Sequence, residues 1–222
     1  MAEERLDTAH EFWDQWWGDA KSRPMWSDPE PSVTRFMTAL EQRGAKTVLD
    51  VGSGIGRHSL AYAANGFEVI AVDASSTGLE EVARSAQDRG LVIETRPGVF
   101  TSLPVDDASV DHVLAWNVIY HGDGDVVATA LTECRRVLRV EGTLQVTFLS
   151  KRNKAYGVGE EIRPDTFVDK SSAGDKDHPH FYLDASGVTR MLSDAGFETL
   201  SLIDLEQHSP GAFHWAVLAE RA

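Results

Sequence analysis

The run Thr47-Val48-Leu49-Asp50-Val51-Gly52-Ser53-Gly54-Ile55-Gly56 sets a carboxylate two residues ahead of glycines at alternate positions. An apolar strand that runs into a glycine turn and then a helix presents free N–H groups to a ligand. The turn is not tuned to a dinucleotide. Its third glycine, Gly56, comes one residue early, and Arg57 stands where G-x-G-x-x-G needs glycine. Asp50 would repel a pyrophosphate and suits a ligand with a cationic amine near the turn. Asp73, followed by Ala74, is spaced to end a second strand, where a carboxylate can accept both hydroxyls of a ribose. A second set of groups can move protons: Tyr120 and His121 after a strand-like run, and His178 and His180 in Asp177-His178-Pro179-His180-Phe181-Tyr182. Histidines at alternate positions of an extended segment point the same way. His121, His178, His180 and His214 could converge on a metal, but their spacing matches no metal-ligand pattern, so none is expected.

The elements around these residues alternate. Strand candidates are Thr47–Val51, Glu68–Val72, Leu91–Thr95, Val110–Ala115, Thr143–Leu149, Glu198–Asp204 and Ala212–Ala219. Helix candidates between them are Ser59–Asn65, Thr77–Arg89, Val126–Leu138 and Ser186–Ala195. Gly44, Gly66, Gly90 and Gly196 each close a helical stretch. The pattern predicts an α/β fold: a Rossmann-like, seven-stranded, mostly parallel sheet with helices on both faces. Only Leu205 to Gly211 separates the last two strands, so they should form a hairpin with the last strand antiparallel.

Two regions lie outside that frame. From Leu6 to Arg43, Phe12, Trp13, Trp16 and Trp17 recur at helical spacing, a Pro-rich piece carries Trp26, and a second helix spans Ser32 to Arg43. The aromatic stripe either packs the first helix onto the core or covers a ligand pocket, where ring faces attract cations. The segment 150–183 is polar and aperiodic and leaves the carboxyl edge of the sheet, as a lid would. Its Gly174-Asp175-Lys176-Asp177 run reads as a loop tip. The chain divides as one domain, 1–222: an aromatic helical cover (1–43), a nucleotide-binding half (44–149), a lid (150–183), and a helix with a hairpin (184–222).

Taken together, the motifs resemble those of the class I S-adenosylmethionine-dependent methyltransferases. Asp50, Gly52, Gly54 and Gly56 match the first motif of that family, and Asp73 matches its second-strand acid. Leu103-Pro104-Val105-Asp106-Asp107-Ala108-Ser109-Val110-Asp111 is similar to the family's approach to strand four. Arg135-Arg136-Val137-Leu138-Arg139-Val140-Glu141-Gly142-Thr143-Leu144 is similar to its entry to strand five, with Val140 and Glu141 replacing the usual Pro and Gly. The resemblance implies S-adenosylmethionine as methyl donor and S-adenosylhomocysteine as product. Asp50, Gly52, Ser53, Gly54, Gly56, Asp73 and Ala74 would hold it, with Phe100 through its backbone and Asn117 near the methionine end. Gly98 is followed by Val99 rather than the acid often found there, so adenine would be held by backbone and apolar contact. Asn117 and Tyr120 share the spacing of the N-P-P-Y motif of amino-group methyltransferases, but both prolines are absent. Tyr120, His121, His178 and His180 are the candidates for acceptor contact or a general base. Within the family the chain looks most like the tellurite-resistance-type group.

Composition narrows the partners. The formal net charge of −14 disfavours nucleic acid, leaving a small-molecule acceptor. The single cysteine, Cys134, excludes an intramolecular disulfide, and the acidic first residues do not read as a secretion signal, so a cytoplasmic protein with no membrane segment is expected. Monomer and homodimer both stay open. Two rivals remain: a non-catalytic module that binds the same donor, and an NAD(P)-dependent oxidoreductase, which Asp50 and Arg57 disfavour.

Overall fold

The structure is a computed structural model that describes residues 9–19, 21, 23–171, 175–207 and 209–222 of the chain. Leu6 and Gly174, which the sequence placed in the first helix and the loop tip, lie outside the described residues. In chain order the elements are α1 (Ala9–Gly18), α2 (Pro31–Gln42), β1 (Thr47–Val51), α3 (Arg57–Ala64), β2 (Glu68–Asp73), α4 (Ser76–Asp88), β3 (Ile93–Pro97) and β4 (Val110–Ala115). They continue with α5 (Gly124–Val137), β5 (Leu138–Ser150), β6 (Glu160–Arg163), β7 (Thr166–Val168), β8 (His180–Leu183), α6 (Ala185–Asp194), β9 (Phe197–Glu206) and β10 (Phe213–Arg221).

Parallel strands covered by helices on both faces read as apolar runs, and four of the five residues of β1 are buried. The strands line up as β3-β2-β1-β4-β5-β10-β9, with β1 to β5 parallel and β10 antiparallel to both neighbours. One face packs α5 and α6 through Leu131, Val137 and Leu192. The other packs α2 and α3 through Val33, Met37 and Tyr62. Cys134 is buried on α5, where desolvation pushes its thiol up to about 12, so it acts as a small apolar residue.

Three expectations need correction. The sheet has ten strands, not seven. Among the described residues, the additional three come from 150–183: β8 pairs parallel with β5 at Leu149 and Ser150, and β7 and β6 follow antiparallel. Leu149 also pairs with His214 of β10 on its other side, so β8 occupies the flank that β4 leaves beyond Ala115. The third strand runs from Ile93 to Pro97 instead of Leu91 to Thr95, because the Leu91 N–H is spent on the Ala86 carbonyl in closing α4. Strand five begins at Leu138 and takes up residues expected for the end of α5. It bulges before Thr143, with Glu141 at φ 62°.

Candidate active site

The glycine turn joins β1 to α3 at the carboxyl edge of the sheet. Gly52 has φ 65°, and a Cβ there would overlap Val118, so the turn and the loop after β4 meet backbone to side chain. A Cβ on Gly54 would stand 2.8 Å from the Trp17 ring, which lies directly on the turn. Gly56 does not face the cavity. It starts α3, and its open side is filled by Val82, so its part is helix packing. Asp73 ends β2 and fixes the turn: its Oδ2 accepts from Gly54 N at 2.7 Å and its Oδ1 from Ser75 N at 2.8 Å. Each oxygen retains lone-pair capacity for a ribose hydroxyl. Burial raises the Asp73 carboxyl, and these backbone N–H groups oppose the shift.

Asp50 lies away from the cavity lining. Its carboxylate is buried under the turn and accepts from Ser59 Oγ at 2.6 Å. Desolvation pushes it up to about 7, against the hydrogen bond from Ser59. It sits behind the turn and does not line the pocket.

The loop after β4 supplies Asn117, Tyr120 and His121. Asn117 is in the left-handed region at φ 61°, a conformation that persists where surroundings impose it. Here its N–H donates to Thr147 Oγ1 at 2.7 Å, the same hydroxyl donates to Asn117 Oδ1 at 3.1 Å, and Asn117 Nδ2 donates to Gln207 Oε1 at 3.3 Å. Phe181 N donates to Tyr120 O and Gly122 N to Pro179 O, which clamps this loop to β8. That clamp brings the three histidines together. The His121 and His178 rings lie 4.9 Å apart, His121 and His180 4.8 Å, and His178 and His180 4.6 Å. All three are buried, so the loop bearing His178 and His180 is not solvent-exposed at those positions. Of the four acceptor-side candidates, Tyr120 and His121 line the cavity, whereas His178 and His180 stand behind His121.

A roof comes from α1. Asp14 Oδ1 accepts from Ser75 Oγ at 2.6 Å and docks the helix on the start of α4. Trp13 stacks on Trp17 and meets Trp26 edge-on and His121 at 6.1 Å. Arg57 lies under Trp26, 5.0 Å from ring to guanidinium, and pairs with Glu30 at 3.3 Å. His58 Nε2 accepts from Glu30 N, and burial holds its imidazole well below the usual range. His58, Thr147 and Gln207 were not singled out for function from the sequence, and Arg57 entered only as the residue that breaks a dinucleotide turn. Arg57 had a signal, since a cation opening α3 beside a buried acid has to find a partner. Thr147 and Gln207 had none, because their contacts depend on sheet register.

The cavity so enclosed is lined by Gly52 to Ile55, Val72 to Ala74, Gly98 to Thr101, Trp116 to Val118, Tyr120 and His121, with Trp13, Trp17 and Trp26 above. Ser53, Ala74, Phe100 and Asn117 all belong to that lining, as does Asp73. Among the described residues, Ser53 Oγ and Trp116 Nε1 are buried polar atoms of this wall with no hydrogen-bond partner, as expected where a polar ligand sits.

Residues 48–142 match a family model described as a methyltransferase domain. A probable S-adenosylmethionine-dependent methyltransferase of Mycobacterium tuberculosis is 32% identical over 161 residues, covering 72% of this chain and 52% of the relative. The ubiquinone biosynthesis O-methyltransferase of Caulobacter vibrioides is 33% identical over 117 residues, covering 51% of this chain and 45% of the relative. The chain thus spans about half the length of these curated relatives. Among solved structures, the Burkholderia thailandensis 1,6-didemethyltoxoflavin-N1-methyltransferase, with bound 1,6-didemethyltoxoflavin and S-adenosylhomocysteine, has a TM-score of 0.74 at 19% identity, covering 100% of this chain and 92% of that one. Magnesium protoporphyrin IX methyltransferase of Synechocystis with bound S-adenosylhomocysteine also scores 0.74, at 15% identity over 98% and 99% of the two chains.

Proposed function

We infer that this chain, a class I S-adenosylmethionine-dependent methyltransferase by its matched domain and its fold, methylates a small, flat acceptor bound between the aromatic roof and the Tyr120–His121 wall. S-adenosylmethionine supplies a methyl group already activated on a sulfonium, so the protein's part is orientation, exclusion of water and handling of a proton. Asp73 is placed for the ribose, and the turn from Gly52 to Gly54 for the methionine side. Gly98 to Thr101 offer backbone and apolar contact to the adenine. Asn117, held rigid by Thr147 and Gln207, marks the methionine end next to Tyr120. His121 takes the acceptor's proton: its Nδ1 shares a hydrogen with His178 Nε2 at 2.9 Å, and its ring lines the cavity. Trp13, Trp17 and Trp26 shut out water and present ring faces to a sulfonium.

The observation that carries this reading is one cavity with the ribose carboxylate, the glycine turn and the proton-handling wall on its sides. Calorimetry with S-adenosylmethionine, S-adenosylhomocysteine and NAD tests it. One donor and one product molecule should bind per chain, and NAD should not. Mass spectrometry of phenols, thiols and heterocyclic amines incubated with the donor should then find a product heavier by one methylene. Tight NAD binding without donor binding overturns the reading. Donor binding with no product from any acceptor class removes the catalytic part of it.

A further inference from the structure

His121, His178 and His180 are separated in sequence but meet where β8 lies beside the loop after β4. One ring nitrogen from each lies within 4.8 Å of the other two. We propose that these three imidazoles form a binding site for a divalent transition metal of the zinc type, with His121 as the ligand that borders the cavity.

The hydrogen bonds behind the rings favour coordination. His180 Nδ1 lies 2.8 Å from the carbonyl oxygen of His178, and a carbonyl only accepts, so Nδ1 carries the hydrogen and Nε2 the lone pair. His178 Nδ1 faces Asp177 Oδ1 at 3.3 Å, which assigns it the same tautomer. Metal-bound histidines are held in this way, with the second ring nitrogen donating to a carbonyl or a carboxylate. Four-coordinate zinc, with bonds of about 2.0–2.1 Å, sets its ligand nitrogens roughly 3.3 Å apart. Here His121 Nδ1 and His178 Nε2 stand 2.9 Å apart, and a ring nitrogen of each histidine lies within 4.8 Å of the others. The hydrogen now shared between His121 Nδ1 and His178 Nε2 passes to His121 Nε2, and both facing nitrogens turn lone pairs to the ion. Three imidazoles are nitrogen donors of the type that suits zinc and its neighbours over magnesium or calcium. The scaffold is rigid, since main-chain hydrogen bonds join the His121 loop to the strand that carries His180. The formal net charge of −14 also favours cation entry.

Three protein ligands leave a position for substrate. The consequence for chemistry rests on the methyltransferase reading, and with metal bound His121 is a ligand, so the proton it takes in the metal-free protein goes to solvent instead. An acceptor O–H or S–H held at that position gives up its proton to solvent more readily. The acceptor lone pair then forms the bond to the methyl carbon while the carbon–sulfur bond breaks, and its electron pair stays on the departing thioether.

The test is titration of metal-free protein with cobalt(II), followed by zinc. One equivalent of cobalt should give the intense visible bands of a four- or five-coordinate ion, and zinc should abolish them. His178→Ala and His180→Ala should each weaken cobalt binding by about 100-fold or more, in line with losing one ligand, and His214→Ala should retain it. X-ray absorption of zinc-loaded wild-type protein should count three imidazoles, which settles the ligands even if a histidine variant fails to fold. Weak six-coordinate bands, fewer than three imidazoles, or bands that survive in both variants overturn the proposal. Calorimetry of S-adenosylhomocysteine with the metal-free protein separates the two readings: product binding without a cobalt site removes the metal alone.

Discussion

Asp50 and Asp73 are two carboxylates of one turn with different tasks. Asp73 holds the turn by accepting from Gly54 and Ser75, so Asp73→Ala removes both anchors and the ribose acceptor. Its affinity for S-adenosylhomocysteine should fall by about 10- to 100-fold, the scale of one or two charge-assisted hydrogen bonds, as read by calorimetry. Asp50 is raised to about 7, above its value of about 3.9 in an unfolded chain, so the folded protein binds the extra proton between those limits. The stability this gives is complete below pH ~4 and is lost as pH rises through 7. Asn at this position still accepts from Ser59, so Asp50→Asn should melt like wild type at pH 4 to 5 and above it at pH 8. The shift of about three units sets a ceiling near 4 kcal/mol for the gap. Thermal melts of the ligand-free protein across that range decide the matter, and parallel curves would mean that Asp50 is not the group titrating. A bound ammonium would favour the ionised form of Asp50, which gives its proton to solvent, so donor binding should narrow the same gap.

The entry to β5 shows how an element bears a local misfit. Glu141 occupies the left-handed region at φ 62° on the exposed bulge before Thr143, at the position where the resembled motif carries glycine. A non-glycine residue there costs roughly 1–2 kcal/mol. Glu141→Gly should therefore raise stability by about 1 kcal/mol, or about 2–4 °C in melting temperature for a chain of this size, with donor affinity unchanged. A lower melting temperature would show that the Glu141 side chain contributes more than the strain removes. Elements of this kind were readable in sequence where an apolar run and a closing glycine agreed, as for β1, β2 and α4. Their boundaries drifted where a cap was overlooked: Asp123 accepts from Asp125 N and Val126 N and starts α5 two residues before Val126. β6, β7 and β8 were not readable, because strands of three or four residues carry too little period to register. The sequence named these histidines and their convergence without supplying, for the same reason, the strand that joins them. His121 and His178 lie far apart in sequence, and the bonds between the loop after β4 and β8 bring them into contact. The cofactor turn, by contrast, was carried by one contiguous stretch whose glycines and acid each have a local steric or electrostatic cause.

At the scale of the molecule, the cavity has two closures on one rigid sheet. The β6–β8 extension is bonded into the sheet and backs the loop that carries Tyr120 and His121 without lining the cavity itself. The roof is attached differently. α1 rests on the turn through Trp17 and on α4 through Asp14, and among the described residues none of α1 belongs to the core clusters that hold the sheet and its helices together. Segments with few core contacts open at low cost, so the roof is the part that can move to admit donor and acceptor. Removing residues 1–30 should leave a cooperatively folding protein, since β1 to β5 and their helices keep their packing. The same deletion should weaken S-adenosylhomocysteine by at least about 10-fold, because Trp17 leaves Gly54 and water reaches the donor site. Trp17→Ala should show a smaller loss in the same direction. Hydrogen exchange offers the complementary reading: amides of Ala9–Gly18 should exchange fast in the free protein and slow sharply when product binds, while those of β1 and β4 stay protected throughout. A truncated protein that folds and binds product as tightly as the full chain would make the stripe of tryptophans mere packing, and the gate would have to be sought at the loop between β4 and α5.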